Sequence, residues 1–241
     1  MRQLFTLLFI LAFTAGVSAQ NWGKSKRIKG NGDVKTETRD VSSFSGIQAC
    51  CSFKVEVRKG SPGVKVEAES NLIEYVKTEV SGGRLSIGFT GNVNISNQRP
   101  IRVYVSMNDL DYVKASSSSK IAFKDAFRGD DLQVRVSSSA DILDLDFTGN
   151  EIRLDASSSG TIELAGSGSS IRAKSSSSSR IRASECRVKR ARAAASSSGS
   201  IRLNVTERLD ADASSGASIR YVGSPSVDSD TSSGGSVRSG N

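Results

Sequence analysis

Arginine recurs at fixed places along the second half of this 241-residue chain. Arg182, Arg202, Arg220 and Arg238 each directly follow an aliphatic residue, and Arg153, Arg172 and Arg192 each stand nine residues before one. A guanidinium presents a planar fork of N–H donors matched to the oxygens of carboxylates and other oxyanions. A series of them in register therefore suits an extended anion, such as an acidic glycan or a surface polymer. The same residues would serve as a solvated face that blunts a long sheet and keeps it soluble, with Asp155, Asp212 and Asp230 neutralising part of it.

Other chemistry is sparsely equipped. There is no histidine, which removes Ser-His-Asp and Cys-His catalysis and His-containing zinc sites, and neither a metal nor a cofactor is expected. No serine lies in a Gly-x-Ser-x-Gly elbow; Gly166-Ser167-Gly168 comes nearest and reads as a turn between repeats. Asp141, Asp144 and Asp146, or Asp210 with Asp212, could act as acid and base in a polysaccharide lyase or hydrolase. Cys50 and Cys51 are adjacent and Cys186 is distant, so at least one thiol should be free. A vicinal disulfide would need a strained turn, and buried small apolar side chains are the alternative.

The elements that must position these residues are written in the serines. Blocks of two or three serines stand three to five residues before Ile121, Ile142, Ile162, Ile181, Ile201, Ile219 and Val237, which follow one another at intervals of 18 to 21 residues. So short a repeat cannot be a helical hairpin and reads as one coil of a β-solenoid. A disordered serine linker would not keep apolar parity, and here parity is kept: positions ten, eight and six before each anchor are mostly aliphatic, whereas the odd positions between them are mostly charged or polar. The even positions make the inside wall of a narrow parallel β-helix. Two residues before the anchors stand Ser119, Ala140, Gly160, Ser179, Gly199, Ala217 and Gly235, small enough for a tight corner. The middle serines, Ser117, Ser138, Ser158, Ser177, Ser197, Ser215 and Ser233, share the inward parity and are expected as a structural column of buried hydroxyls bonded from coil to coil. Around Ile142 the parity flips, as a bulge or corner would produce.

Residues 1–19 read as a signal peptide, with Arg2, an apolar run from Leu4 to Phe13 and the small-residue cleavage site Val17-Ser18-Ala19. The mature chain would start at Gln20 with a short tail over 20–29, and no later stretch is apolar enough to span a membrane. The full-length charge is +8. Export and the lack of aromatics interleaved with the basic residues argue against nucleic acid. From residue 30 to 111 the serine repeat is absent, but alternating runs such as Phe53–Val57, Val64–Ala68, Arg84–Phe89 and Ile101–Val105 predict strands; only Asn71 to Thr78 could make a short helix. This β-rich half would cap the regular coils of 112–241, the two forming a single domain over 30–241.

Gly30-Asn31-Gly32, then Glu37-Thr38-Arg39-Asp40-Val41 and Phe44-Ser45-Gly46-Ile47, then Glu69-Ser70-Asn71-Leu72 leading to Val76–Val80 and Gly83-Arg84-Leu85-Ser86-Ile87, resemble a bacterial family of unknown function described as a putative autotransporter-adhesin head GIN domain. The likeness runs over essentially all of residues 30–241. It implies a right-handed parallel β-helix on an exported, often surface-associated protein, with no catalytic residues to carry over. Three readings follow: a non-enzymatic envelope or cell-surface protein whose flat face binds a glycan or another protein, located in the periplasm, at the surface or outside the cell; a polysaccharide lyase or hydrolase; and a structural module that self-associates through its terminal coil. Coils that vary by only three residues leave no long loops to build a catalytic cleft, which favours the first.

Overall fold

The computed structural model describes residues 26–240. The expected signal peptide lies outside the described residues. The chain is all-β, with one short 3-10 turn over Ile73–Tyr75 where a helix was expected from Asn71 to Thr78. The N-terminal half contains β1 (Lys26–Lys29), β2 (Val34–Arg39), β3 (Gly46–Ala49), β4 (Lys54–Lys59), β5 (Gly63–Glu69), β6 (Val76–Ser81), β7 (Arg84–Phe89), β8 (Val93–Ser96) and β9 (Arg102–Met107). The regular half contains β10 (Tyr112–Ala115), β11 (Lys120–Phe123), β12 (Phe127–Arg128), β13 (Asp131–Val136), β14 (Asp141–Ala156), β15 (Thr161–Ser175), β16 (Arg180–Ala195), β17 (Ser200–Ala213), β18 (Ser218–Val222), β19 (Ser226–Thr231) and β20 (Ser236–Ser239). Residues 26–29, expected in the tail, are the strand β1 and pair in parallel with β8.

Each regular coil has a stretch entering a serine corner and a stretch leaving it, and parallel pairing stacks like stretch on like. On the entering side the order is β6, β7, β3, β10, β13, the second halves of β14 to β17, and β19. On the leaving side it is β2, β5, β9, β4, β11, the first halves of β14 to β17, then β18 and β20. Beyond Leu110 sequence order is stacking order. In the cap it is not: the coil made of β7 and β9 lies under β3 and β4, which precede it in the chain, and the antiparallel strands β6, β5 and β2 close that end.

The parity of the strands agrees with the alternation in the sequence. Leu132, Val134, Val136, Ile152, Leu154, Ile171, Ala173, Ala193, Leu209 and Ala211 are buried, as are the anchors from Ile121 to Ile219. The flip after Ile142 is a bulge: Asp144 takes φ +56°, the register shifts between Ile142 and Leu145, and Leu145 and Phe147 return to the interior. Gly166, expected in a turn, instead lies within β15 at φ +110°, where a side chain would strike the Phe147 carbonyl.

The corners overturn the expected hydroxyl column. Ser117, Ser138, Ser158, Ser177, Ser197, Ser215 and Ser233 are all exposed. At each corner the second and third residues both take positive φ, for example +48° at Ser158 and +63° at Ser159, and the fourth N–H returns to the first carbonyl, as from Gly160 to Ser157 at 3.0 Å. This is a type I′ turn, and two left-handed residues in succession break the strand alternation. The middle serine therefore faces water, and its carbonyl rather than its hydroxyl links the coils. Ser118 N–H donates to Ser138 O, Ser139 to Ser158, Ser159 to Ser177, Ser178 to Ser197 and Ser198 to Ser215, all at 2.9 to 3.0 Å. The fourth position turns inward instead. Ser119 and Ser179 are buried there, with Ser179 Oγ donating to Ala156 O at 2.8 Å and Ser119 Oγ to Ala49 O at 3.0 Å.

Candidate functional site

The seven arginines do not share one face. Arg182, Arg202, Arg220 and Arg238 are register partners on the leaving stretches of β16, β17, β18 and β20. Arg153, Arg172 and Arg192 are register partners on the entering stretches of β14, β15 and β16. The serine corner separates the two ladders, and all seven side chains are exposed.

Ion pairing divides them further. Glu163 stands beside Arg182 in register, and its Oε1 accepts from Arg182 Nη1 at 2.6 Å. Arg153 is held by Glu151 of its own strand, with Nε to Oε1 at 3.1 Å and Nη2 to Oε2 at 2.9 Å. Among the described residues these two pairs, at Arg182 and Arg153, are the only ones made by the seven. Arg172, Arg192, Arg202, Arg220 and Arg238 keep their guanidinium groups for water or a ligand.

The leaving ladder is like-charged from Arg182 to Arg238. Strand neighbours stand about 4.8 Å apart, and unit charges at that distance repel by roughly 1 kcal/mol in bulk water. The entering ladder changes sign instead: Arg192 is followed in register by Asp210 and then Asp228. Asp212 and Asp230 repeat the acidic step two residues along the same strands. The Asp210 carboxylate accepts from Arg208 Nε at 2.8 Å, and this bond, with the Asp210 charge, holds the Arg208 guanidinium above its ordinary pKa. Asp155, two residues from Arg153 on the same strand, lies 3.9 Å from Arg135 and forms no ion pair with any of the seven arginines.

The candidate catalytic carboxylates are spread over two strands. Asp141, Asp144 and Asp146 lie on the leaving stretch of β14, Asp141 at 3.7 Å from Lys120 and Asp144 in the bulge. Asp210 and Asp212 lie on the entering stretch of β17. Cys50 and Cys51 form a disulfide, and the strained turn that a vicinal pair needs is a corner of the solenoid, with Cys51 and Ser52 at φ +63° and +62°. Cys186 is free and buried; burial, with the Asp146 charge, pushes its thiol up to about 12. Lys174, Arg190, Arg208, Asp228 and Asp230 also line grooves on the entering face. Their signal is the odd offset from the anchors, which marks outward positions whatever the residue type.

Three crystal structures share the architecture. They are a putative adhesin from Bacteroides fragilis (17% identity over 88% of this chain and 99% of that one, TM-score 0.81), a putative lipid binding protein from Parabacteroides distasonis (21%, 90% and 100%, 0.74) and a putative adhesin from Parabacteroides merdae (21%, 90% and 100%, 0.70). Such low identities carry the fold alone. No curated protein matches the chain, and no helix among the described residues is long and apolar enough to cross a membrane. A family model matches residues 43–225, from the strand before the disulfide corner to the last full coil, and the chain therefore belongs to the family described as "Putative auto-transporter adhesin, head GIN domain".

Proposed function

We propose that this is an exported, non-catalytic envelope or surface protein that holds an extended acidic ligand, an anionic glycan in the first instance, along the ladder from Arg182 to Arg238. The observation that carries the reading is that Arg202, Arg220 and Arg238 stand in register with no carboxylate in ion-pair range among the described residues. Positive charges stacked at strand spacing repel one another, and a polyanion laid along the solenoid axis would relieve that repulsion while meeting one guanidinium per coil. The leader-like pattern at 1–19 supports export, and the family description supports a surface role. An acidic face on a partner protein would satisfy the same ladder.

The lyase or hydrolase reading is weaker. Asp210 is tied to Arg208 and Asp141 lies beside Lys120, and each set lies along one stretch of a single strand and does not face across a cleft. The test is binding of the protein to immobilised uronate and heparin-like polymers from low to physiological salt. Affinity should fall steeply as salt rises and should drop when Arg202 and Arg220 are both replaced by glutamine. Salt-insensitive binding, or binding unchanged in the double variant, would leave the ladder as solvated surface.

A further inference from the structure

The entering face carries a different kind of site. A groove of about 400 Å³ crosses the strands there, with Arg172, Lys174 and Arg192 at one end and Asp212 and Asp230 at the other. Its floor is opened by Ala194. That alanine occupies the outward column Asp155, Lys174, Ala194, Asp212, Asp230, read from the strand registers, and it is the one position in the series without a charge. The missing side chain leaves a notch between Lys174 and Asp212, which are two coils or about 10 Å apart along the axis. A second groove on the same face is lined by the same four residues, Lys174, Ala194, Asp212 and Asp230.

The rim charges are not spent on each other. Arg172, Lys174 and Arg192 make no ion pair, nor do Asp212 and Asp230, among the described residues; Arg208 is the one cation engaged there, with Asp210 and Asp228. A polyanion running along this face would meet four aspartates in the last two coils, and a polycation would meet the arginines and the lysine. What fits is a short ligand with both signs.

We propose that the Ala194 notch binds a zwitterionic group of the phosphoethanolamine type, its phosphate toward Arg172, Lys174 and Arg192 and its ammonium toward Asp212 and Asp230. Two guanidinium forks and a lysine suit phosphate oxygens, and a primary ammonium has three donors for two carboxylates. The group could be a lipid headgroup or a decoration on a soluble glycan. The site does not depend on the leaving-face ladder, because it lies on the other side of the serine corner and takes a ligand of different charge.

The experiment is titration of the protein with glycerophosphoethanolamine at low salt, followed by NMR or calorimetry, beside glycerophosphate and ethanolamine as single-charge probes. Saturable binding in the range of about 1 mM or tighter, at least tenfold better than either half-probe, is expected. It should be lost on Ala194→Leu, which fills the notch, and weakened on Asp212→Asn without any effect of that variant on glycerophosphate. Vesicles of phosphatidylethanolamine, compared with phosphatidylglycerol, separate the sources. Vesicle capture lost on Ala194→Leu assigns a lipid headgroup, and binding of the soluble probe alone assigns a glycan decoration. Absence of saturable binding, equal binding of either half-probe, or full binding by a folded Ala194→Leu protein would overturn the proposal.

Discussion

Ser52 donates its backbone N–H to the carbonyl of Ser117 at 2.9 Å. The bond is the same one that joins Ser118 to Ser138 and every later pair of corners, so the turn at Cys50-Cys51-Ser52 is the first member of the serine column although it contains one serine. Phe53 closes it with an N–H bond to Cys50 O at 3.4 Å, in the place that Ser119, Ala140 and Gly160 fill in later coils. The column thus starts in the cap, and the disulfide sits at its root.

Serine at the two left-handed positions carries a steric cost that the bonds between corners offset. Replacing Ser158 by glycine should leave stability unchanged or raise it by up to about 1 kcal/mol, whereas a β-branched valine should cost about 1 to 3 kcal/mol. Chemical denaturation of the two variants checks this. A burial effect of the kind expected for an inward hydroxyl would give the opposite sign for glycine.

Gly199 faces the Ser175 carbonyl so closely that a Cβ would overlap it. Gly199→Ala should therefore destabilise by about 1 to 3 kcal/mol, because backbone on backbone cannot repack. Ala140 and Ala217 hold the same corner position in other coils, so a parallel Ala217→Gly variant separates this local crowding from a general need for glycine.

Glu69 is fully buried and accepts backbone N–H bonds from Gly32 at 2.6 Å, Gln98 at 2.8 Å and Arg99 at 3.2 Å. Burial alone would raise its pKa; the bonds from Gly32, Arg99 and Gln98, with the Arg99 charge, outweigh it and hold the carboxyl below its ordinary 4.5. A depressed pKa stabilises the fold fully above the ordinary value, and that contribution is lost as pH falls below it through the lowered one. Unfolding measured from pH 6 to 3 should show stability declining over that acid range. Glu69→Gln should be less stable at pH 6 by about 1 to 3 kcal/mol and should decline less on acidification.

The free thiol should be inert in the native protein. Burial lifts Cys186 to about 12, so iodoacetamide at pH 8 should leave it unmodified until denaturant is added. Modification at the rate of an exposed thiol under native conditions would contradict its buried place beside Gly166 in the stack.

Replacing Arg202 and Arg220 together by glutamine should keep stability within about 0.5 kcal/mol or raise it, since neither has a carboxylate partner to lose and their mutual repulsion goes. Thermal unfolding at low salt checks the sign. A clear loss would mark these arginines as holding the coils together through their aliphatic stems.

The coils were legible because strand parity has period two, and Ile152, Ile162 and Leu154 need only alternate to show where the wall is. The corners were not, because φ is invisible in a run of serines: two positive values swing Ser158 outward and leave the fourth residue, Gly160, buried against Val136. Stacking order in the cap was hidden for a related reason. The runs at 54–59, 63–69, 84–89 and 102–107 alternate alike whether their neighbours run parallel or antiparallel, so nothing in them places β7 beneath β3. The ladders at Arg153 and Arg202 were visible as spacing. Their separation by the corner, and the change of sign after Arg192, needed the register.

The filling of the bore changes along the chain. Phe53, Phe123, Phe127 and Phe147 pack it early, whereas in the late coils Ala191, Ala193, Ala195, Ala211 and Ala213 line the entering wall against Ile201, Leu203, Val205 and Ile219, and Ser229 and Thr231, the register partners of Ala211 and Ala213 on β19, are exposed. Each buried CH2 is worth about 0.8 kcal/mol, so the exposed strand β19 and the half-buried strand β20 are coupled to their neighbours more weakly than the phenylalanine-filled coils are. A stack of this kind opens from its loosest interface and not all at once. Amide exchange should therefore run as a gradient, fastest in β19 and β20 and slowest around Phe123 and Phe147. The tip that carries Asp228, Asp230 and Arg238 is the part of the molecule best able to fray and re-form around whatever it meets.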